Sequence, residues 1–430
     1  MSSNQRPLAS QHADAVVALA LLKEALASPP SIGEPPIATH SRKKPRKPKK
    51  GNELSASAFR PHVLARDRLR LWSAPHSDSF RLSALEQLPL NDVLQLFDVM
   101  LVSIETKTRE NYGAGLLRFH QYCDSRHIPE YRRMPASDFL LASFVASWAG
   151  KVAATTAQNW LAGLHFWHNL HGAPWFGHSI LRSATAGLAK VVPESSKRPR
   201  RPPVTLEHMH ALFRGLDLSN AFDASVFAVA CTAFWSCCRL GELIIVSTSL
   251  FDPSRHVSRS SPFTRRSPPD GVKYSVLHIP WTKTSHVEGA DIIISSLDDI
   301  TNAYTAINHH LTANAAVPLD APFFAFETSE GGWAAMTRPW FLARCNEIWR
   351  LANLLELTGH CFRIGGATEL LLRGVPPDVV AVQGRWKSRA FLEYWRKIES
   401  ILPLFVTSSF SDSRTAMVNS SMDSYARRYS

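Results

Sequence analysis

Residues 359–368 read Gly-His-Cys-Phe-Arg-Ile-Gly-Gly-Ala-Thr, and residues 384–394 read Gly-Arg-Trp-Lys-Ser-Arg-Ala-Phe-Leu-Glu-Tyr. The first run predicts the start of a helix, on which His360 and Arg363 share one face. In the second run Trp386 precedes Tyr394 by eight residues. Each pattern is weak alone, because an isolated tryptophan is more often a core residue than a ligand-binding one. Their order along the chain carries more information.

Two further charged features precede these runs. Arg239 and Glu242 end a long apolar stretch, and Lys283 lies in a Thr-Lys-Thr turn between two strand-like segments. Taken alone, Arg239 is more often a cap at a helix C-terminus, where it interacts with the helix dipole. Lys283 alone is more often a solvated turn residue, and Lys273 and Lys387 are its rivals, although the Thr-Lys-Thr context favours Lys283.

The ordered set of arginine, lysine, His-x-x-Arg, tryptophan and tyrosine resembles the active-site signature of the tyrosine recombinase (phage integrase) family. In their residue pattern, the two quoted runs most resemble recombinases of eukaryotic mobile elements of the DIRS and Crypton type. The resemblance covers residues 93–403 and is strongest over the last third; in the helical region it is limited to features such as Thr108, Arg109 and Tyr112. It implies that the catalytic residues are Arg239, Lys283, His360, Arg363, Trp386 and Tyr394, with Glu242 supporting them.

The chemistry of strand breakage explains two arginines. Attack on a phosphodiester gathers negative charge on the non-bridging oxygens, so catalysis depends mostly on cations placed in advance. A guanidinium meets two oxygens at once and does not lose its proton. By the resemblance, Arg239 and Arg363 are that pair.

The resemblance assigns the covalent step to Tyr394, which would attack phosphorus, form a 3′-phosphotyrosine and expel a 5′-hydroxyl. A phenol has a pKa near 10, so a base or flanking cations must help at neutral pH, and His360 is the candidate base. The leaving alkoxide needs a proton, which the resemblance assigns to Lys283. Trp386 would donate one indole N–H to the phosphate, and Glu242 would orient its neighbours.

No cofactor is expected. A phosphotyrosine stores the energy of the broken phosphodiester, so rejoining needs neither ATP nor metal, and the sequence has no phosphate-binding Gly-rich loop and no metal-ligand spacing. The six cysteines include no CxxC pair, which favours reduced, mostly buried thiols. No apolar run is long enough to span a membrane, and no secretory signal is evident.

The net charge of +12 indicates an anionic partner such as nucleic acid. The run at 42–50 carries seven positive charges, however, which leaves only +5 for the rest of the chain. This run is equally compatible with a nuclear import signal, a nonspecific DNA tether and a solvated tail. The global charge is therefore a hint only.

Proline, charge and periodicity predict the domain organisation. We expect a mainly α protein of two domains: a helical core-binding (SAM-like) bundle, and an α+β DNA breaking-rejoining catalytic domain with a small β-hairpin or sheet. The predicted segments are a disordered basic arm at 1–92, the helical domain at 93–192, a basic Pro-rich linker at 193–203, the catalytic domain at 204–403 and a Ser-rich tail at 404–430. The linker could follow a phosphate backbone or be an ordinary charged connection.

Local patterns place the elements within these domains. Helices are expected around Tyr112 to Cys123, behind the N-cap Ser137, and around Trp160 to Trp167. In the second domain, Thr205 predicts a cap. Further predicted segments are one or two buried helices in 222–246, a loop at 252–271, a hairpin of 274–280 with 291–296, and helices in 300–315 and 336–402.

The expected partner is double-stranded DNA, bound by a homo-oligomer (dimer or tetramer) in the nucleus. Additional DNA-contacting candidates are Arg109, Lys197, Arg198, Arg200 and Arg201. Two alternatives to an active recombinase remain: a catalytically silent DNA-binding relic of a mobile element, and a type IB topoisomerase-like activity. Every expected active-site position is filled, which favours activity.

Overall fold

The computed structural model forms two compact units, Met1–Pro199 and Arg200–Ser430. It describes residues 8–27, 53–197, 199–269, 271, 273–386, 399, 401–403, 406, 420 and 427, with the side chains of 8–16 and 27 left aside. The basic run 42–50, Arg198, Lys387 and Tyr394 lie outside the described residues. No described helix is long and apolar enough to cross a membrane. The division between the units falls inside the 193–203 segment.

The first unit is entirely helical over its described residues. Its α-helices are α1 (Leu8–Ala27), α2 (Arg68–Leu71), α3 (Pro75–Gln87), α4 (Leu90–Val102), α5 (Thr106–Ser125), α6 (Asp138–Ala146), α7 (Ala154–Leu170) and α8 (Ser179–Lys190). Helix α6 begins where expected, because the Ser137 hydroxyl accepts the Leu140 N–H at 3.2 Å.

Helices α5 and α7 cross closely at reciprocal glycines. A Cβ on Gly115 would lie 2.7 Å from the Trp160 Cα, and a Cβ on Gly163 would lie 2.8 Å from the Tyr112 Cα. Only hydrogen at both positions allows this approach, which brings the buried rings of the two helices together. The aromatic residues of 112–167 are therefore largely core residues.

Residues 53–92 differ from the disordered arm expected up to residue 92. Leu69 and Trp72 are buried in the core of the first unit, and the Trp167 indole donates to the Trp72 carbonyl at 2.8 Å. Pro75 occupies the first turn of α3, where its missing N–H costs nothing. Proline and serine in this region predict disorder, whereas in the structure Pro75 and Pro89 lie at the starts of α3 and α4.

The second unit combines helices with a small antiparallel sheet, as expected for the fold class. Its α-helices are α9 (Leu206–Gly215), α10 (Ala221–Trp235), α11 (Leu240–Leu243), α12 (Ala303–Ala313), α13 (Arg338–Leu351), α14 (His360–Leu372) and α15 (Pro377–Gln383). Its strands are β1 (Phe263–Arg266), β2 (Tyr274–Ile279), β3 (Ala290–Ser295), β4 (Phe326–Glu327) and β5 (Trp333–Ala334). Thr205 caps α9 as predicted, because its hydroxyl accepts the His208 N–H at 3.4 Å.

The main sheet has the order β1-β2-β3, with every pair antiparallel. Strands β2 and β3 are the predicted hairpin, and Leu277 pairs with Ile292. Strand β1 lies in the segment expected to be a loop. Its Phe-Thr-Arg-Arg sequence lacks a clear apolar alternation. The strand forms because it pairs with the edge of β2 and because Phe263 packs on Phe323, with 5.6 Å between the ring centroids.

Helix α14 packs against the end of α10 through two adjacent glycines. A Cβ on Gly366 would lie 1.8 Å from the Phe234 carbonyl oxygen, and a Cβ on Gly365 would lie 2.0 Å from the Val204 oxygen. No larger residue fits without moving backbone. This contact brings Arg363, one turn earlier on α14, beside the chain that leaves α10.

Candidate active site

The chain leaving α10 presents Arg239. Cys237 adopts a left-handed conformation with φ 47°, and the Cys238 N–H donates to the Ala233 carbonyl at 3.0 Å. The helix therefore ends sharply, and Arg239 follows in an extended conformation immediately before α11. Its side chain is 33% exposed. A partly exposed guanidinium in this position can meet a ligand.

Arg363 is held in the interior. Its side chain is fully buried; Nη1 donates to the Cys237 carbonyl at 2.5 Å and Nη2 donates to the Gly384 carbonyl at 2.7 Å. The Trp386 ring covers it, with 4.1 Å between the ring centroid and Cζ. Arg363 thus ties the segment after α10 to the segment after α15, and its charge acts from beneath the surface.

A third arginine, which the sequence reading did not assign, completes the cluster. The N–H of Arg385 donates to Val382 O at 2.9 Å and that of Trp386 to Ala381 O at 3.0 Å, which makes the end of α15 a Schellman motif. Arg385 takes the left-handed position with φ 57°, where glycine is usual. A non-glycine residue there costs about 1–2 kcal/mol.

Glu242 joins two of the arginines. Arg239 Nη1 donates to Oε1 at 2.8 Å, and Arg385 Nη2 donates to Oε2 at 2.8 Å. The Arg239 backbone N–H also donates to Oε2, at 2.9 Å. Burial alone would raise the pKa of this carboxyl, but the three arginines and the Arg239 N–H hold it below its ordinary value. Glu242 is therefore ionised at neutral pH and bonded to both arginines, and its orienting role in catalysis stays a prediction.

We refer to Arg239, Arg363, Arg385 and Glu242 as the arginine cluster. Two of its guanidiniums, those of Arg239 and Arg385, bond to the carboxylate of Glu242. Burial raises the pKa of the neighbouring Cys237 thiol to about 12 and also raises that of Cys238, so neither supplies negative charge. Burial lowers the pKa of Arg363, and the charges of Arg239 and Arg385 lower it further against the opposing effect of Glu242.

His360 and Trp386 border the cluster. His360 is the first residue of α14 and is half-buried, one turn before Arg363. Trp386 is half-buried, and a Cβ on Gly384 would lie 1.6 Å from its ring, so the glycine makes room for the indole. The structure therefore pairs Arg239 with Glu242 and covers Arg363 with Trp386, and His360 lies on the helix that carries Arg363.

Lys283 lies apart from these contacts. It is exposed in the turn between β2 and β3, which Thr282 stabilises by accepting the N–H of Thr284 at 3.3 Å and of Ser285 at 3.1 Å. Within the described residues, no hydrogen bond or ion pair joins Lys283 to the arginine cluster. Its proton-donor role and the role of Tyr394, which lies outside the described residues, stay predictions.

The additional DNA-contacting candidates differ in exposure. Arg109 is buried on the inner face of α5, where Nη2 donates to the Thr106 hydroxyl at 2.9 Å, so this side chain does not face solvent. Lys197 is exposed and pairs with Glu194 at 2.6 Å. Arg200 and Arg201 are exposed. Of the described DNA-contacting candidates, Lys197, Arg200 and Arg201 present charge at the surface.

The described residues contain no group of three or more histidine, cysteine, aspartate or glutamate side chains arranged to hold a metal ion. All six cysteines are buried and free. Arg385 is the functional candidate that sequence reasoning missed, although it lies inside a quoted run. Its side chain reaches Glu242 because of a left-handed backbone that no local pattern announces.

No family model matches the chain, and no curated protein matches it. Among solved structures, the chain is similar to the XerH site-specific recombinase bound to a palindromic difH substrate in a post-cleavage complex, with 13% identity, a TM-score of 0.47, and coverage of 81% of this chain and 93% of that chain. It is similar to the Tn1549 transposon integrase in complex with transposon right end DNA, with 14% identity, a TM-score of 0.42 and coverage of 72% and 96%. It is also similar to a lambda integrase dimer bound to a COC' core site, with 14% identity, a TM-score of 0.38 and coverage of 71% and 95%.

Proposed function

We propose that this chain is a tyrosine-type DNA recombinase or integrase. The observation that supports the proposal most is the arginine cluster, where Arg239 and Arg385 bond to one carboxylate and Arg363 lies beside them, close to the point at which the chain continues towards Tyr394. Positive charge that is partly shielded from water suits a phosphodiester, whose oxygens gather further charge during attack. The order of the motif residues along the sequence supports the same chemistry.

In the proposed reaction, Arg239 contacts the non-bridging oxygens of the scissile phosphate, and Arg363 adds its charge from behind Trp386. The Tyr394 oxygen attacks phosphorus as His360 takes its proton, and the bond to the 5′-oxygen breaks. Lys283 gives that oxygen a proton. The product is a 3′-phosphotyrosine and a free 5′-hydroxyl, which can attack in the reverse direction to rejoin a strand.

Lys283 lies in an exposed turn at the tip of the hairpin formed by β2 and β3. We propose that its ammonium reaches the leaving oxygen when DNA is bound. We also propose that the enzyme acts on double-stranded DNA as a homo-oligomer and originates from a mobile element of the DIRS or Crypton type. A nuclear location is proposed from the basic run alone.

The covalent intermediate gives the decisive experiment. The full-length chain is incubated with a library of nicked duplexes that have randomised sequence, and DNA that remains attached to protein after denaturation is recovered and sequenced. We expect wild type to form adducts, Tyr394→Phe to form none, and DNA affinity to change by less than about twofold, because a single hydroxyl is removed. Tyr425→Phe and Tyr429→Phe are matched controls and should retain the adduct.

Other outcomes identify the alternatives. An adduct that persists in Tyr394→Phe contradicts the assignment of the nucleophile. Binding without any adduct in wild type favours a catalytically silent DNA-binding protein. Relaxation of supercoiled plasmid irrespective of sequence favours a topoisomerase-like activity.

A further inference from the structure

Two Ser-Pro dipeptides flank strand β1. Ser261-Pro262 precedes the strand and Ser267-Pro268 follows it, and a third, Ser28-Pro29, lies outside the described residues. Serine followed by proline is the sequence that proline-directed protein kinases recognise. Proline lacks a backbone N–H and favours an extended conformation in the residue before it. The two described dipeptides share this local chemistry, and the fold distinguishes them.

Ser261 is engaged by its own turn. It is half-buried, its hydroxyl accepts the Ser258 N–H at 2.9 Å, and its backbone N–H donates to the Ser258 carbonyl at 3.0 Å. The Pro262 carbonyl accepts the His278 N–H at 2.9 Å, which fixes the next residue to β2. A kinase would have to break these contacts before Ser261 could enter its active site.

Ser267 is presented to solvent. It is exposed and directly follows the last residue of β1. Within the part of the chain that the structure describes, no hydrogen bond involves its hydroxyl. Pro268 and Pro269 behind it restrict the backbone, and the exposed side chains of Arg265 and Arg266 precede it. This hydroxyl can therefore reach a kinase without unfolding of the sheet.

Strand pairing places cations beside the Ser267 hydroxyl. Strand β1 pairs antiparallel with β2, and its last residue, Arg266, lies opposite Tyr274. One further step in the same register puts Ser267 opposite Lys273. Opposite residues of an antiparallel pair point to the same face, and so does Arg265, two positions before Ser267. A group on Ser267 thus has a lysine across from it and an arginine on the same face.

These two cations keep their charge available. Lys273 is exposed, and no carboxylate among the described residues pairs with it. Arg265 Nε donates to Asn308 Oδ1 at 2.7 Å, which is a neutral amide oxygen. A serine phosphate carries a charge of about −1.5 to −2 at neutral pH and forms charge-assisted hydrogen bonds with such groups. Held between them, it would connect the end of β1 to β2.

We propose that Ser267 is a phosphorylation site for a proline-directed kinase, and that its phosphate binds Lys273 and Arg265 and fixes the edge strand β1 to β2. The Ser267 Oγ attacks the γ-phosphorus of ATP, and the hydroxyl proton passes to a base of the kinase. The bond from the γ-phosphorus to the oxygen that bridges to the β-phosphate breaks, and ADP leaves. The modification is separate from strand breakage and uses none of the residues proposed for it.

The first experiment maps the site. The full-length chain is incubated with a purified mitogen-activated protein kinase and ATP, and phosphoserine is located by mass spectrometry. Synthetic peptides 255–266 and 262–273 are treated in the same way and present the two dipeptides without the fold. We expect both peptides to accept phosphate, and the folded chain to accept it at Ser267 and not at Ser261. Equal modification of both serines in the folded chain, or none at Ser267, contradicts the proposed site.

Hydrogen exchange of the β1 amides tests the role of the phosphate. Phosphate on Ser267 should slow this exchange by about tenfold, because a phosphate bound to two cations opposes local opening of the strand. Lys273→Gln should still accept the phosphate but lose most of the protection. Arg266→Gln is the matched control and should keep the protection within about twofold, because that side chain points to the other face of β1.

Two results would overturn the role of the phosphate. One is equal exchange with and without phosphate on Ser267, and the other is full protection in phosphorylated Lys273→Gln. Kinase-treated Ser267→Ala should exchange like unmodified wild type. Slower exchange in that variant would mean that phosphate at another residue causes the effect, and the proposal would be wrong.

Discussion

Each unit of this protein contains a buried group of arginines, and the two groups differ in their charge balance. In the first unit Arg60 and Arg133 meet Asp124 and Glu130: Arg133 lies 2.8 Å from Asp124 and Arg60 lies 3.4 Å from it, while Arg60 also pairs with Glu130. Two guanidiniums thus face two carboxylates. We refer to these four residues as the balanced cluster.

The arginine cluster of the second unit has three guanidiniums and one carboxylate. A group with equal numbers of opposite charges stabilises the fold by itself, whereas a cluster of cations at a partly exposed position is a candidate for binding an anion. Burial and ion pairing occur in both clusters and do not distinguish them. We therefore propose a structural role for the balanced cluster and phosphate binding for the arginine cluster.

The largest expected effect comes from unbalancing the first group. Asp124→Asn keeps the shape but leaves Arg60 and Arg133 with one carboxylate, and both side chains are nearly fully buried. We expect the free energy of unfolding to fall by about 3–5 kcal/mol, as for other buried pairs that lose one partner. Urea denaturation measures this loss.

Glu110→Gln is the control for that change. Glu110 forms an exposed pair with Lys107 at 2.6 Å, and its loss should cost less than about 1 kcal/mol. If phosphate stabilises Asp124→Asn more than it stabilises wild type, the balanced cluster can also bind an anion. The proposed difference between the two clusters would then be wrong.

A smaller effect is expected from acid acting on the first unit. His168 Nδ1 is bonded to the Leu164 carbonyl at 2.8 Å and Nε2 accepts the Ala136 N–H at 3.0 Å, and burial lowers the pKa of this histidine to about 4. The unfolded chain therefore binds the proton first. Stability should be constant above pH of about 6.5 and fall on the order of 3 kcal/mol as the pH drops to 4.

Urea denaturation between pH 7.5 and 4 measures this dependence. His168→Gln should reduce the dependence without abolishing it, because burial also lowers the pKa of His120, His171 and His310. His165→Gln, at an exposed position on the same helix, should change it much less. An unchanged slope in His168→Gln contradicts the assignment of a neutral buried imidazole.

The smallest of the three effects is the most specific. Glu242→Gln removes the only carboxylate of the arginine cluster and should lower the free energy of unfolding by about 1–3 kcal/mol. Phosphate should recover much of this loss, because it provides negative charge at the same guanidiniums. Thermal melts with and without phosphate measure the recovery.

Asp223→Asn is its control in the same unit. Asp223 accepts two bonds from Arg344, at 2.9 and 2.7 Å, and its removal should destabilise the chain without recovery by phosphate. Equal recovery of both variants would mean that phosphate acts nonspecifically.

Much of the fold could be predicted from the sequence because its signals are local. Ser137 and Thr205 cap helices where they were expected to, and the apolar spacing from Tyr112 to Cys123 gives α5. The hairpin of β2 and β3 follows from its short β-branched runs. The periodic spacing of apolar side chains and the capping of helix ends depend on residues close together in the chain. Both can therefore be recognised in a single sequence.

Other features depend on distant partners. Strand β1 exists because the edge of β2 accepts it, and residues 53–92 are ordered because Trp72 and Leu69 find a core that later helices provide. Arg109 was expected near DNA, but the inward face of α5 buries it. Local composition and propensity indicated the opposite for β1 and for 53–92, since long-range packing overrides them. The expectation for Arg109 came from the family resemblance, and its contact with DNA stays a prediction.

By itself, the sequence determined which chemical groups are present and in which order: the arginines, the lysine, the His-x-x-Arg pair and the tyrosine that define the proposed chemistry. The tertiary structure alone decided how these groups share charge. Glycine contacts between α14 and α10 bury Arg363, and a left-handed turn after α15 directs Arg385 to the carboxylate that Arg239 also uses. Charge balance is a property of groups that meet in space, and residues 239, 363 and 385 meet only after the chain has folded.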